Sequence, residues 1–214
     1  MTQRPKALDL FCCAGGASMG LYRAGFDVVG VDIEPQPHYP FPFIQADVMS
    51  ISLRGFDFIW ASPPCQAHTL AQRIRKNDHP DLIPATRHML KKSGAGAWVI
   101  ENVPGAPLID PIELCGAMFG LKVYRHRLFE ASFRIEPPPH PAHTAPLRKM
   151  GRKPQPGDFM HVVGNFSGVE QAREAMGIGW MMRDELREAI PPAYAEFIGK
   201  MALYELAPVA VAAE

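Results

Sequence analysis

No apolar run in the sequence approaches the roughly 18 residues of a membrane span, so nothing in it reads as a transmembrane helix. Its start, Met1-Thr2-Gln3-Arg4-Pro5-Lys6, is not followed by an apolar stretch ending in a small-residue cleavage site, and a cytoplasmic protein is expected. Cysteine is scarce: the residues at 12, 13, 65 and 115 form no Cys-x-x-Cys pair, so neither a disulfide framework nor a zinc knuckle is expected. Net charge is absent too. With 22 basic and 22 acidic residues, the chain does not hold nucleic acid mainly through bulk charge. Internal repeats are lacking, and 214 residues suffice for one sizeable core but are few for two ordinary domains.

What is present is an alternation of short Val, Ile and Phe-rich runs with helical patterns, which predicts βαβ units and a mainly parallel, doubly wound α/β sheet. Strands are expected at 7–11, 27–32, 43–46, 56–61 and 97–101, with a further group over 122–133. Helices are expected at 18–24, 82–92 and 110–118, the first capped by Ser18 and stopped by Gly25. From Glu136 the texture changes to Pro137-Pro138-Pro139-His140-Pro141 and then to basic and glycine-rich residues. Residues 134–168 therefore read as an irregular insert in a unit made of 1–133 and 169–207, with 160–165 its one strand-like piece and 208–214 a frayed tail. Helical patterning returns at 169–176. A last helix follows Pro191-Pro192 and places Tyr194, Phe197, Ile198, Met201 and Tyr204 on one face.

Candidate chemistry gathers at the strand ends. Cys65, in Ala61-Ser62-Pro63-Pro64-Cys65-Gln66, is held by two prolines just past a strand, as a positioned nucleophile would be and as a small buried cysteine could also be. A second strand runs into Glu101-Asn102-Val103-Pro104 and offers an acid beside the thiol. The first strand ends in a glycine turn, Cys13-Ala14-Gly15-Gly16, into a helix; such a turn lets backbone approach a ligand and aims helix N–H groups at it, although a plain connection has the same form. Asp32 ends the second strand, where doubly wound folds hold ribose hydroxyls, and Asp47 closes the third.

In their order, five motifs resemble those of the cytosine-C5 DNA methyltransferase family: the Asp-Leu-Phe and Gly-Gly turn over 9–16, Pro64-Cys65-Gln66, Glu101-Asn102-Val103, Arg125-His126-Arg127, and the helix start Ile190-Pro191-Pro192. The resemblance covers most of the chain outside about 134–168. It implies a Rossmann-like S-adenosylmethionine-dependent methyltransferase fold, with Cys65 adding to C6 of a flipped cytosine and Glu101 bonding the base at N3 and N4. Arg127 would contact the base carbonyl and favour the thiolate, with Arg125 as its partner on the same strand face. Phe11, Cys13, Gly15, Gly16, Asp32, Ile33, Asp47 and Pro64 would hold S-adenosylmethionine, released as S-adenosylhomocysteine.

The sequence departs from the family at Cys13, in place of a glycine, at Arg187-Glu188, in place of Gly-Asn, and at Val123, in place of a glutamine. Double-stranded DNA is the implied partner, with RNA as the alternative; a non-catalytic binding module or a dinucleotide oxidoreductase fits less well. Gln66, Arg73, Arg75, Lys76 and Asn102 would face DNA near the thiol. Arg148, Lys149, Arg152 and Lys153, a basic run without an acidic neighbour in sequence, would meet phosphates or simply form a solvated face. The short insert implies recognition of a few base pairs, or relaxed specificity. No metal is expected: His140, His143 and His161 in the insert, and Cys115 outside it, lack ligand spacing and read as exposed or turn residues.

Overall fold

The computed structural model describes residues 3–65, 80–148, 152 and 155–207. Its centre is a seven-stranded sheet in the order β3-β2-β1-β4-β5-β7-β6. The strands are β1 (Lys6–Leu10), β2 (Asp27–Asp32), β3 (Phe43–Gln45), β4 (Phe58–Ala61), β5 (Ala97–Asn102), β6 (Ile112–Leu114) and β7 (Arg127–Ala131). β1 to β5 are parallel, whereas β7 runs antiparallel between β5 and β6. β4 and β5 are buried along their whole length, which is why they read as unbroken apolar runs.

Helix α1 (Gly16–Ala24) follows β1, and α2 (Ile83–Lys91) precedes β5. The helices α3 (Val169–Met176), α4 (Arg183–Glu188) and α5 (Pro192–Leu206) complete the chain. One core cluster lies between the sheet and α1 and α5, around Phe26, Phe58, Trp60, Phe129, Tyr194 and Ile198. A second, on the other side of the sheet, joins Leu8, Leu10, Ile59 and Ile100 to Leu90 of α2.

Several expectations are corrected. Residues 110–118 are not a helix but β6 followed by a short 3₁₀ turn, Gly116–Phe119. Pro111 has no N–H to give a helix and disfavours the α region for the residue before it. Asp110 takes φ +44°, outside the right-handed helical region, and pairing with β7 takes over. Ser18 does not cap α1; the helix begins at Gly16, and Ser18 is buried within it, bonded to the Asp9 carboxylate and, at 2.7 Å, to the Tyr39 hydroxyl. On α5 the buried residues include Tyr194, Ala195, Ile198 and Ala202, whereas Tyr204 is 78% exposed, because the apolar stripe follows the 3.6-residue period to Ala202.

The insert is also more ordered than its prolines suggest. Strand β8 (Leu147–Arg148) pairs in parallel with β9 (Phe159–Met160), replacing the strand expected over 160–165. Met160, Val162 and Phe166 are buried in a third cluster with Met176 of α3, Leu186 of α4 and Ala14 of the first turn. The insert thereby shares a core with the helices behind it.

Candidate active site

The strand order leaves β1 and β4 as neighbours whose onward connections diverge, which is the switch point where doubly wound sheets hold ligands. A crevice opens there, lined by Phe11, Cys13 and Gly16 after β1, Ser62 after β4, Glu101 at the end of β5, and Glu188 and Ile190 before α5.

The turn after β1 is strained. Phe11 and Cys13 have φ of +59° and +44°, and Gly15 follows with +84°. A side chain at such an angle costs about 1–2 kcal/mol, so Cys13 occupies a conformation that favours glycine and still keeps the turn closed. Its N–H donates to Asp32 Oδ2 at 2.9 Å, and the Glu34 N–H donates to Asp32 Oδ1 at 3.1 Å. Close approach requires glycine at position 16: a Cβ there would stand 2.5 Å from the Ile190 carbonyl oxygen. Ile33 is 62% exposed, an apolar surface beside the buried Asp32. Asp47 is exposed and its Oδ1 accepts the Met49 N–H at 2.9 Å, capping a short 3₁₀ turn. The buried carboxylate, the exposed apolar neighbour and the cramped glycine turn fit a nucleoside-bearing cofactor with a small polar chain.

Across the crevice, Arg127 Nε lies 3.0 Å from Glu101 Oε1. The register explains the pair: Glu101 stands opposite Phe129, so Arg127, two residues away on antiparallel β7, is its diagonal neighbour on the same face. Burial pushes the Glu101 carboxyl above its ordinary pKa, against the pull of Arg127 and of a hydrogen bond from Ser62. Cys65 is half-buried, and its thiol is likewise pushed up, first by burial and then by Glu101; Arg127 and Arg125 pull it down but do not win. The expected thiolate-favouring arginine is therefore present, and desolvation outweighs it in the free protein.

Arg125 behaves differently from the sequence reading. It precedes β7 with φ +29°, so strand alternation does not apply to it. Its guanidinium donates to the Val162 carbonyl at 2.8 Å and the Arg187 carbonyl at 2.7 Å, and burial lowers its pKa to about 9. The Tyr194 hydroxyl donates to the Arg125 carbonyl at 2.9 Å. Arg125 ties the insert to α4 and, through its backbone, to α5.

Asn102 is buried rather than open to DNA. Its Nδ2 donates to the Pro63 carbonyl at 2.9 Å and its Oδ1 accepts the Val103 N–H at 2.9 Å, which anchors the Pro63-Pro64-Cys65 segment to β5. Pro64 is exposed at the crevice end. Arg148 does have an acidic neighbour, Asp158 at 2.5 Å, supplied by the β8–β9 pairing. Arg152 is exposed. Gln66, Arg73, Arg75, Lys76, Lys149 and Lys153 lie outside the described residues. Arg87 of α2 is committed to Glu130 through two bonds of 2.7 Å.

The residue that sequence reasoning missed is Ser62. It bonds Glu101 and accepts the Trp60 indole N–H at 3.0 Å, linking the core to the acid. Only its place three residues before Cys65 could have flagged it.

A seven-stranded sheet with an antiparallel seventh strand and a crevice at the β1–β4 switch defines a Rossmann-like S-adenosylmethionine-dependent methyltransferase fold. Solved structures agree: a prophage-encoded E. coli protein described as a DNA modification methyltransferase superposes with a TM-score of 0.67 at 16% identity, over 94% of this chain and 99% of that one. The S. pombe Dnmt2 methyltransferase gives 0.63 at 11% identity, over 95% and 99%. Residues 6–108 match the C-5 cytosine-specific DNA methylase family. Type II methyltransferase M.NgoMIV of Neisseria gonorrhoeae is 31% identical over 117 residues, 49% of this chain and 37% of that protein. M1.HphI of Haemophilus parahaemolyticus is 30% identical over 118 residues, 45% and 32% respectively. The matched segment spans about a third of the length of these curated relatives. No described helix is long and apolar enough to cross a membrane.

Proposed function

We propose that the protein transfers a methyl group from S-adenosylmethionine to C5 of cytosine in DNA through a covalent Cys65 adduct. The observation that carries this reading is Glu101, buried at the crevice that also holds the glycine turn and paired at 3.0 Å with Arg127, with Cys65 within electrostatic reach of both.

Cytosine C5 is a weak nucleophile. The Cys65 thiolate would form a bond to C6, while Glu101, whose protonated form burial favours, would donate to N3 and accept from the N4 amino group, so that electron density collects at C5. Arg127 would donate to the base carbonyl and draw Cys65 toward thiolate as the base displaces water. When bound, S-adenosylmethionine supplies an electrophilic methyl group and leaves as S-adenosylhomocysteine. Loss of the C5 proton to solvent and breakage of the Cys65–C6 bond would then free the methylated base and regenerate the thiolate. Asp32 would hold the ribose hydroxyls, Ile33 cover the adenine, Asp47 meet its amino group, and Phe11, Cys13, Gly15, Gly16 and Pro64 surround the remainder.

A stacked cytosine cannot be reached above and below its ring, so the base must be flipped out. Gln66, Arg73, Arg75 and Lys76 would close over it, with Arg152, Lys149 and Lys153 near phosphates. Residues 134–168 would read a site of a few base pairs, and the setting is the cytoplasm of a prokaryotic cell or of a phage-infected host.

The test is incubation with labelled S-adenosylmethionine and matched DNA, RNA and 5-fluorocytosine-containing DNA. Methyl transfer to DNA and a denaturation-resistant adduct on the fluorinated DNA, both lost in Cys65→Ala, are expected. Transfer undiminished in Cys65→Ala would end the mechanism, and transfer to RNA alone would replace the substrate.

A further inference from the structure

Cys115, His126, His140 and His143 are scattered along the sequence, yet the fold gathers one ligand atom from each within 4.8 Å of the others. Cys115 Sγ lies 3.3 Å from His143 Nε2, and His126 Nε2 lies 3.2 Å from His140 Nε2. A tetrahedral ion with bonds of about 2.3 Å to sulfur and 2.0–2.1 Å to nitrogen has edges of about 3.3–3.6 Å. These two distances fall a little short of such edges and the other separations stay within 4.8 Å, so small shifts would bring the four ligand atoms to the corners such an ion needs.

The surroundings hold them there. Cys115 is buried at the end of β6, and His126 precedes β7. His140 and His143 come from the proline-rich segment, in no regular element. The His143 ring stacks on Tyr124 with centroids 3.7 Å apart, and the Tyr124 hydroxyl donates to the Ala145 carbonyl at 2.8 Å, so Tyr124 fixes both the ring and the chain beyond it. Glu113 Oε1, 3.9 Å from His126 Nε2, adds a negative charge beside the group. His161 does not join it.

The geometry points to a structural zinc site formed by Cys115, His126, His140 and His143. One thiolate and three imidazoles suit zinc, whose filled d shell accepts a tetrahedron of nitrogen and sulfur without redox chemistry. Four protein ligands leave no position for water, so the ion would be a staple rather than a catalyst. It would pin the segment carrying His140 and His143 against the sheet edge, and would fix His126 between Arg125 and Arg127. The beginning of the insert, otherwise without a ladder of its own, would be tied to the residues beside Glu101. Binding requires the thiolate and neutral imidazoles, so loading would release the Cys115 proton.

The test reads metal rather than methyl transfer, which keeps it separate from the proposed activity. The purified full chain, exchanged into metal-free buffer, is expected to retain one equivalent of zinc by elemental mass spectrometry. His140→Ala/His143→Ala, at two exposed positions outside helices and strands, should lower this at least ten-fold, whereas Cys65→Ala should leave it unchanged. Cobalt loaded in place of zinc should show the intense d–d bands of a tetrahedral ion and a thiolate-to-cobalt charge-transfer band that disappears in Cys115→Ser. Protein that stays metal-free after reconstitution with zinc, metal retained in full by the double variant, or a cobalt spectrum without thiolate character would overturn the site.

Discussion

The Arg127 guanidinium stands 3.0 Å from the Glu101 carboxylate and acts on two pKa values at once, lowering that of Glu101 and that of Cys65. Substituting Arg127→Gln removes both pulls. Cys65 should then ionise at higher pH than in the parent, so alkylation of its peptide by iodoacetamide, followed by mass spectrometry across pH, shifts to the alkaline side. Methyl transfer should fall about 10²-fold, as for loss of one preorganised donor. An alkylation profile that stays in place or moves to lower pH would contradict the assigned electrostatics.

Ser62→Ala separates the two groups. Ser62 hydrogen-bonds the Glu101 carboxylate and therefore favours its charged form. Without it Glu101 should hold its proton to higher pH, with no alkaline shift of Cys65 like that of Arg127→Gln. Carboxyl carbon NMR of glutamate-labelled protein checks the direction, and a lowered Glu101 pKa would refute it.

Asp9 gives the stability a pH dependence. It is fully buried with Oδ1 lacking a partner among the described residues, and burial raises its pKa from 3.8 to about 7 despite the hydrogen bond from Ser18. The folded state therefore favours the protonated form. Its contribution to stability is complete below about pH 4 and is lost as pH rises to about 7, on the order of 4 kcal/mol at about 1.4 kcal/mol per pH unit. In urea denaturation, Asp9→Asn should remove this slope and be more stable than the parent at pH 8. An Asp9→Asn variant less stable than the parent at pH 8, or equally pH-dependent, would count against it.

Gly20→Ala probes how α1 meets α5. A Cβ at Gly20 would stand 2.2 Å from the Pro192 carbonyl oxygen and 2.6 Å from the Glu196 nitrogen, both backbone atoms. Alanine improves helix propensity by about 1 kcal/mol, but the required separation should leave a net loss of about 1–3 kcal/mol. Thermal unfolding measures it; a stabilised variant would mean that the helices part more easily than their packing suggests.

What could be read from the sequence was whatever local chemistry decides. The strands expected at 27–32, 56–61 and 97–101 were legible as apolar runs, and Gly25 as a helix stop, because burial and backbone freedom act within a few residues. Asp32, Cys65 and Glu101 were legible as strand-end groups for the same reason. Contacts made across the fold were not. Arg148 was read as free of acids because Asp158, ten residues on, meets it only through the β8–β9 pairing. Asn102 was assigned to DNA, and its amide is spent on Pro63. Arg125 was placed by strand periodicity, which its left-handed backbone cancels. The histidines carried no ligand spacing, since their grouping with Cys115 exists only once β6, β7 and the proline-rich segment come together.

Gly16 and Ile190 touch across 174 positions of chain, and Ala189 and Ile190 form one wall of the crevice. A polypeptide synthesised only as far as residue 188 therefore has every described strand and lacks one wall of the crevice. The crevice therefore closes only after α5 has been made and has docked.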